Sequence, residues 1–376
     1  MKTDIVKGFN DYTGEDALKR AEIKKILVRT FEKYGFDPAE TPIVEYEEFV
    51  RGNNASDEAV SDIFRLKDRG ERALALRYEF TFQLKRIMQN KKLPYKRYQI
   101  GEVFRDEPTT SNRFRQFVQC DVDVIGSSLK DEAEILALAS DILTDLKIDF
   151  VININNRKLL NEILEEQGVK NKEEVIKEID KLDKLEEKQI KENLKKYKAE
   201  KVLDVFKKPE SYFKKYNSYK EIEELKKYCS DYNRKVNFQP SLARGLSYYN
   251  SSVFEIKTKK IKETICAGGS YMFNNIQSTG ISFGLDRLFL LTDITPKKEK
   301  TLVISLNQDK EAIKLTQRLR KNGENVVLMY GKPSKALEYA NSYNIDKVIF
   351  VGEEEIKKKK FRVKSMKTGK ESLVKM

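Results

Sequence analysis

Histidine is absent from all 376 positions of the chain. That absence excludes Ser-His-Asp triads, imidazole general bases and histidine-ligated metals. Whatever chemistry the protein performs falls to carboxylates, arginines, tyrosines or the substrate itself. Cysteine is nearly as scarce: Cys120, Cys229 and Cys266 stand far apart and match no C-x-x-C spacing. This argues against a zinc ribbon or a disulfide framework and for reduced, buried thiols. No apolar run long enough to span a bilayer occurs, and the opening MKTDIVKGFNDYTGED carries no apolar stretch behind its first lysine. The expectation is a cytoplasmic protein with no membrane partner. No internal repeat or low-complexity tract suggests a solenoid.

What the chain has in plenty is charge. Charged residues make up 35%, and 73 Lys and Arg against 60 Asp and Glu give a net charge of +13. An excess of that sign draws polyanions through long-range attraction and counterion release, so nucleic acid is the first partner to consider. The hydrophobic fraction of 39% suffices for cores, and at roughly 150 residues per domain the length predicts two or three domains.

The first apolar periodicity, Ile23, Ile26, Leu27, Phe31 and Tyr34, predicts a helix from Thr13 to Gly35, with Thr13 and Asp16 as a capping pair and Gly35 as the stop. Pro42 opens an extended segment, and residues 73 to 80 read as a strand leading into a polar turn. KRYQIGEVFRDEP and RFRQFVQCDVDVIG read as antiparallel strands joined by PTTSN. Residues 131 to 146 return to helical spacing and VINI to strand. From 156 to 235 the text is Lys- and Glu-rich and helical, predicting an inserted helical module that touches RNA only weakly, with a merely solvated amphipathic surface as the plainer alternative. Strand text resumes through GISFGLDRLFLL, which places Arg287 on a strand-following helix. The expected class is α+β: an antiparallel sheet flanked by helices in a first domain, 1–295, carrying the 156–235 insertion. After a linker at PKKEK, a second α/β domain with a mostly parallel sheet covers 300–376.

The chemistry concentrates between Phe104 and Gly126, where Arg105, Arg113 and Arg115 stand beside Glu107 in a strand-loop-strand setting. Guanidinium groups grip phosphate oxygens bidentately and stay charged, so a cluster of them suits a triphosphate. If residues 113 to 124 form one strand, Arg113, Arg115, Phe117, Gln119, Asp121 and Asp123 share a face, and Val118, Cys120, Val122 and Val124 share the other. A solvated edge strand seldom places a phenylalanine among its charges, whereas Phe117 in a site can stack on an adenine.

FRDE followed by RFRQF resembles motif 2 of class II aminoacyl-tRNA synthetases, in the form found in histidyl-tRNA synthetases. The resemblance implies that Arg105 contacts the α-phosphate, Glu107 the adenine amino group and Arg113 the γ-phosphate, with Phe117 stacked on the base. ARGLSYYNSSVFE (243 to 255) resembles the family's own signature and implies Arg244 on the reacting phosphate, with Tyr248 and Tyr249 lining the amino-acid pocket. Read as ordinary strand aromatics, the two tyrosines would leave the RGL before them unexplained. LRYEFT resembles the segment that holds the substrate's α-ammonium, implying that role for Glu79 and Thr81 together with Gln119. By the same likeness Asp123 and Tyr271 meet the imidazole, and Arg287, in a motif 3 of the form GISFGLDRL, clamps the γ-phosphate. Pro42 in TPIVE resembles motif 1, which builds the dimer interface, and the terminal domain resembles an anticodon-binding domain. QCDVD resembles the archaeal and eukaryotic form of the family. CAGGSYMFNN departs from the family pattern, with Ser270 where arginine is usual and Met272 where aspartate is usual.

The resemblance therefore implies a cytoplasmic homodimer that activates histidine with ATP and magnesium (Mg2+) and transfers it to the 3′ end of tRNA(His), with Arg105 and Arg244 as the catalytic pair. It assigns no magnesium ligand. Two alternatives stand beside it: a catalytically inactive synthetase-like regulatory or tRNA-binding paralogue, and a class II synthetase for another amino acid such as proline or threonine. The presence of Arg105, Arg113, Arg244 and Arg287 argues against the first, RGLSYY and QCDVD against the second.

Overall fold

The computed structural model describes residues 3–51, 62–110, 113–183, 185–244, 248–295 and 299–375. Two compact units divide the chain, Met1–Ile294 and Thr295–Met376.

The first unit is organised by an eight-stranded sheet in the order Asp37–Pro38, Tyr95–Phe104, Gln116–Ile125, Ile276–Gly284, Cys266–Phe273, Tyr249–Lys257, Val151–Asn156, Asn237–Phe238. The two outermost pairings are parallel and the five between them antiparallel. Strand alternation decides what lies on each side. Val118, Cys120, Val122 and Val124 are fully or nearly fully buried and join Ile23, Leu27 and Phe31 of the helix Gly14–Lys33 and Leu136, Ile142 and Leu143 of the helix Leu129–Asp145 in one core. The opposite face carries the polar residues described below.

Local signals fared unevenly. Thr13 does precede the helix Gly14–Lys33, yet its side chain makes no capping hydrogen bond, so the expected Thr13–Asp16 pair does not form. A capping box does form between Ser128 and Asp131, and the next long helix starts at Leu129, two residues ahead of its predicted start. The strand predicted over 73 to 80 spans only Ala73–Leu76 and is the middle member of a separate three-stranded antiparallel sheet with Val44–Tyr46 and Arg65–Lys67.

The segment 156–235 is helical, comprising Arg157–Glu166, Lys172–Asp180, Glu187–Lys195, Val202–Phe206, Glu210–Phe213 and Tyr219–Asp231. Its amphipathic text is not merely a solvated surface. Leu160, Ile163, Ile176, Ile190, Leu194, Ile222 and Leu225 are buried in the same core cluster as the sheet. Apolar residues at helical spacing bury one stripe of each helix while the lysines and glutamates keep to water.

The second unit holds a five-stranded sheet in the order Asn325–Tyr330, Lys300–Ser305, Lys347–Val351, Phe361–Ser365, Glu371–Val374. The first three strands are parallel, and the last two form an antiparallel hairpin that turns through Gly369 at φ +70°. The sheet is thus mixed rather than mostly parallel, because the basic C-terminal text adds two antiparallel strands to the three parallel ones. Asp309–Lys321 covers one face through Ala312, Leu315 and Leu319, and Pro333–Ser342 covers the other through Ala336 and Ala340. Residues 296–298 of the expected PKKEK linker lie outside the described residues. Among the described residues no helix is long and apolar enough to cross a membrane.

Candidate active site

The polar face of the strand Gln116–Ile125 becomes a site through its neighbours. Phe117, Gln119, Asp121 and Asp123 stand opposite Val103, Gly101, Gln99 and Arg97 on one side, and Gln119, Asp121 and Asp123 opposite Gly284, Ser282 and Gly280 on the other. Residues directly opposite across a ladder share a face, so the polar patch spreads over three strands. The strand itself begins at Gln116, not Arg113: the Arg115 and Gln116 amides donate to the Gly8 carbonyl at 2.9 and 3.2 Å, and Arg113 forms only an isolated bridge with Thr110. The Arg115 side chain meets Asp106 at 3.1 Å and donates to the Glu107 carbonyl.

At one end of this face Asp123 is held on both oxygens. The Tyr271 hydroxyl donates to Oδ1 at 2.5 Å, and Arg97 Nη2 lies 2.6 Å from Oδ2. A glycine is needed beneath it, because a Cβ at Gly280 would lie 2.3 Å from Asp123 Oδ1. Gly269 plays the matching part for Tyr249, whose ring would be 2.8 Å from a Cβ there. Tyr248 packs against Tyr249 and Tyr271 with ring centroids 4.7 and 5.8 Å apart; residues 245–247 of the RGLSYY stretch lie outside the described residues. Burial pushes the Tyr248 and Tyr271 hydroxyls well above their ordinary range, which keeps them neutral donors and acceptors.

Glu79 is buried, and burial raises its carboxyl to about 7, against the opposing pull of Arg105 and of the Thr81 hydroxyl. Its Oε1 finds no partner among the described residues, nor does the Oε1 of Gln119, whose amide donates to Ser282 at 2.8 Å. Two buried acceptors left open are a place for a donor to bind. Asp121 behaves similarly: burial raises it to about 7, and Ser282 donates to it at 2.6 Å.

The other end is basic. Arg105 is caged by aromatic rings, 4.2 Å from the centre of Tyr78 and 5.1 Å from that of Phe117, with Glu107 3.9 Å away. Arg113 reaches the second oxygen of Glu107 at 2.7 Å. Arg244 makes a long 3.4 Å contact with the buried Glu255 and leaves its Nε without a partner among the described residues. Arg287 donates to the Thr264 carbonyl at 2.7 Å, and Thr264 in turn donates to Glu255. Burial lowers Arg287 from its usual range, and the positive charges of Arg113, Arg105 and Arg244 push the same way. Arg105, Arg113 and Arg244, from two other chain segments, thus lie near enough to Arg287 for their charges to act on it.

Of the positions read from the sequence, Glu79, Gln119, Asp123, Tyr248, Tyr249 and Tyr271 line the acidic and aromatic end, with Thr81 beside Glu79. Arg105, Glu107, Arg113, Phe117, Arg244 and Arg287 form the basic end. Ser270 belongs to neither: it points to the core side, where it donates to the buried Glu132 of the helix Leu129–Asp145. Met272 is half-exposed. Sequence reading missed Arg97, Ser282 and Gly280. Arg97 could have been found from the register alone, since antiparallel pairing of the two predicted strands puts it opposite Asp123. Among the described residues no group of three or more Cys, Asp and Glu is placed to hold a metal ion.

Comparison with known proteins gives this geometry its context. The family model for histidyl-tRNA synthetase matches residues 8–288, and that for an anticodon binding domain matches residues 295–376. A histidine–tRNA ligase of Bacillus cereus is 35% identical over 99% of this chain and 97% of its own. One from Helicobacter pylori is 33% identical over 97% and 94%. Both of these relatives come from bacteria, not from archaea or eukaryotes. Among solved structures, histidyl-tRNA synthetase from Nostoc sp. PCC 7120 superposes with a TM-score of 0.86 at 25% identity, covering 100% of this chain and 97% of that one. A Bacillus halodurans protein described as an ATP phosphoribosyltransferase regulatory subunit/histidyl-tRNA synthetase reaches 0.78 at 21% identity over 93% and 98%, a likeness of fold alone.

Proposed function

Since the chain belongs to the histidyl-tRNA synthetase family and is a histidine–tRNA ligase, we propose that the two-ended pocket on the sheet is where it joins histidine to ATP. The observation that carries this reading is the placement of four arginines at one end and an open buried carboxylate at the other.

Histidine enters with its α-ammonium against Glu79, Thr81 and Gln119. An ammonium there offsets the desolvation that raises Glu79 and holds it ionised. The ring lies among Tyr248, Tyr249 and Tyr271 with a nitrogen on Asp123. An acceptor built to take a ring N–H rejects apolar side chains of similar size, because they would leave it buried and unpaired.

ATP takes the basic end, with adenine on Phe117 and its amino group on Glu107, the α-phosphate on Arg105 and Arg244, and the γ-phosphate on Arg113 and Arg287. Aminoacyl-tRNA synthetases use magnesium with ATP; the ion would come with the triphosphate, held mainly by phosphate oxygens, and would supply charge neutralisation there. The histidine carboxylate attacks the α-phosphorus in line, charge builds on the phosphoryl oxygens, and Arg105 and Arg244 neutralise it from fixed positions. Pyrophosphate leaves and histidyl-adenylate remains. The terminal ribose hydroxyl of tRNA(His) then attacks the adenylate carbonyl. With no histidine in the protein, a phosphate oxygen or the substrate takes the proton.

The unit 295–376 takes the anticodon side of the tRNA, consistent with its matched family. The three-stranded sheet exposes Val44, Tyr46 and Leu66 on one face, an apolar patch suited to a second copy of the chain in a homodimer. The reaction belongs to the cytoplasm, where tRNA is charged. An inactive regulator is the weaker reading, because all four motif arginines are retained.

The test is amino-acid-dependent ATP–pyrophosphate exchange across all twenty amino acids. Exchange with histidine alone, abolished in Arg244→Ala, is expected; silence with every amino acid would favour the regulator.

A further inference from the structure

Arg97 has no solvent exposure, although it carries a full positive charge and five N–H donors. Its Nη2 meets Asp123 Oδ2 at 2.6 Å and lies 3.3 Å from the Phe80 carbonyl, while Nε and Nη1 find no partner among the described residues. Buried ion pairs are often no better for stability than apolar residues of the same volume, and donors left unmade add to the cost. Packing alone therefore does not account for this side chain.

Its surroundings do. Arg97 stands opposite Asp123 in the ladder, and its charge acts on Glu79 and Asp121 as well. One guanidinium thus underlies three carboxylates of the amino-acid end. It engages Asp123 on the oxygen that Tyr271 does not use, so each oxygen of the carboxylate has its own partner where the side chain lies over Gly280.

We propose that Arg97 is a positioning residue for amino-acid selection: by clamping Oδ2 it fixes Asp123 as a hydrogen-bond acceptor, so that the pocket favours a ring bearing an N–H over a ring of the same size without one. The inference rests on the reading of Asp123 as the imidazole partner. Arg97 itself touches no substrate; its effect on histidine runs through Asp123.

The experiment is ATP–pyrophosphate exchange by the full chain with histidine and with β-thienylalanine, whose five-membered ring has no N–H. Arg97→Met, Arg97→Lys, Asp123→Ala and the Arg97→Met/Asp123→Ala pair are compared with the unaltered protein. Arg97→Met is expected to raise the KM for histidine at least about tenfold, leave the KM for ATP unchanged and narrow the preference for histidine over β-thienylalanine. Arg97→Lys is expected to recover part of the loss, and in the Asp123→Ala background Arg97→Met adds nothing further. An unchanged histidine KM, an equal rise in the ATP KM, or effects that multiply in the double variant would overturn the proposal and leave Arg97 a structural residue. If Asp123→Ala itself leaves histidine binding intact, the pocket reading fails and the inference with it. If Asp123→Ala impairs histidine but Arg97→Met does not, the inference alone fails. Should thermal unfolding show Arg97→Met to be unfolded, the same split of KM values in Arg97→Lys decides.

Discussion

A Cβ added at Gly280 would stand 2.3 Å from the Oδ1 of Asp123, the oxygen that receives the Tyr271 hydroxyl. The bare backbone of one strand is thus what lets a carboxylate lie flat on the sheet between a tyrosine and an arginine. Gly280 and Asp123 are direct register partners, so the contact is built into the strand pairing and has no slack along the ladder. Gly280→Ala is expected to displace Asp123 and raise the KM for histidine at least about tenfold with little change in the KM for ATP. Steady-state exchange kinetics with each substrate varied in turn checks this.

The raised carboxyl of Glu79 sets a pH dependence. Protonated Glu79 cannot pair with an ammonium, and burial holds it protonated up to about 7. The KM for histidine is expected to fall as pH rises from about 6 to about 8, and Glu79→Gln should raise the KM and flatten that part of the profile. A profile that keeps its slope in the variant would rule out Glu79 as its source.

Glu132 offers the corresponding test on stability. Burial raises it to about 7, above its unfolded value, so between those values the folded chain binds more protons than the unfolded one. Its contribution therefore weakens stability as pH rises from about 4.5 to about 7, and Glu132→Gln should make the chain lose less stability over that window. Urea unfolding at pH 5 and pH 7.5 measures the difference. Ser270→Ala, which removes the hydroxyl donated to Glu132, should cost about 1 kcal/mol.

The helical segment 156–235 should unfold with the sheet it packs on. Leu194 is fully buried in the shared core, and Leu194→Ala is expected to cost about 2–5 kcal/mol. Because the core is continuous, fluorescence and far-UV circular dichroism should report one transition for the unit Met1–Ile294. A separate early transition of helical signal would show that the segment folds by itself.

At the basic end, Arg287→Ala should raise the KM for ATP at least about tenfold and leave the KM for histidine nearly unchanged. Arg113 is more exposed than Arg287, so screening by water and salt should make its replacement the milder of the two.

The motif 2 hairpin was legible in the sequence because its information is local. A strand of period two sorts Phe117, Gln119, Asp121 and Asp123 from Val118, Cys120, Val122 and Val124 without reference to the rest of the chain. The alternation of strands and helices after residue 300, and the placing of Arg287 behind a strand, were legible for the same reason. Where a signal competes with distant partners, sequence reading faltered. Thr13 has the right residue type for a cap but makes no capping bond. Arg115 continues the alternation on paper, yet its amide is taken by Gly8, more than a hundred residues earlier. The lysine-rich helices were legible as helices, but not that their apolar stripe closes a core begun by Ile23 and Leu27. Residue type and spacing alone marked the arginines of the hairpin as suited to phosphate, and the family resemblance supplied the expected ammonium and imidazole partners. Folding was needed to bring Arg97 against Asp123, to set Gly280 where it makes room for that carboxylate, and to bring Arg105 and Arg244 within electrostatic reach of Arg287. Register and burial are properties of the whole sheet, and no single segment carries the free energy that selects them.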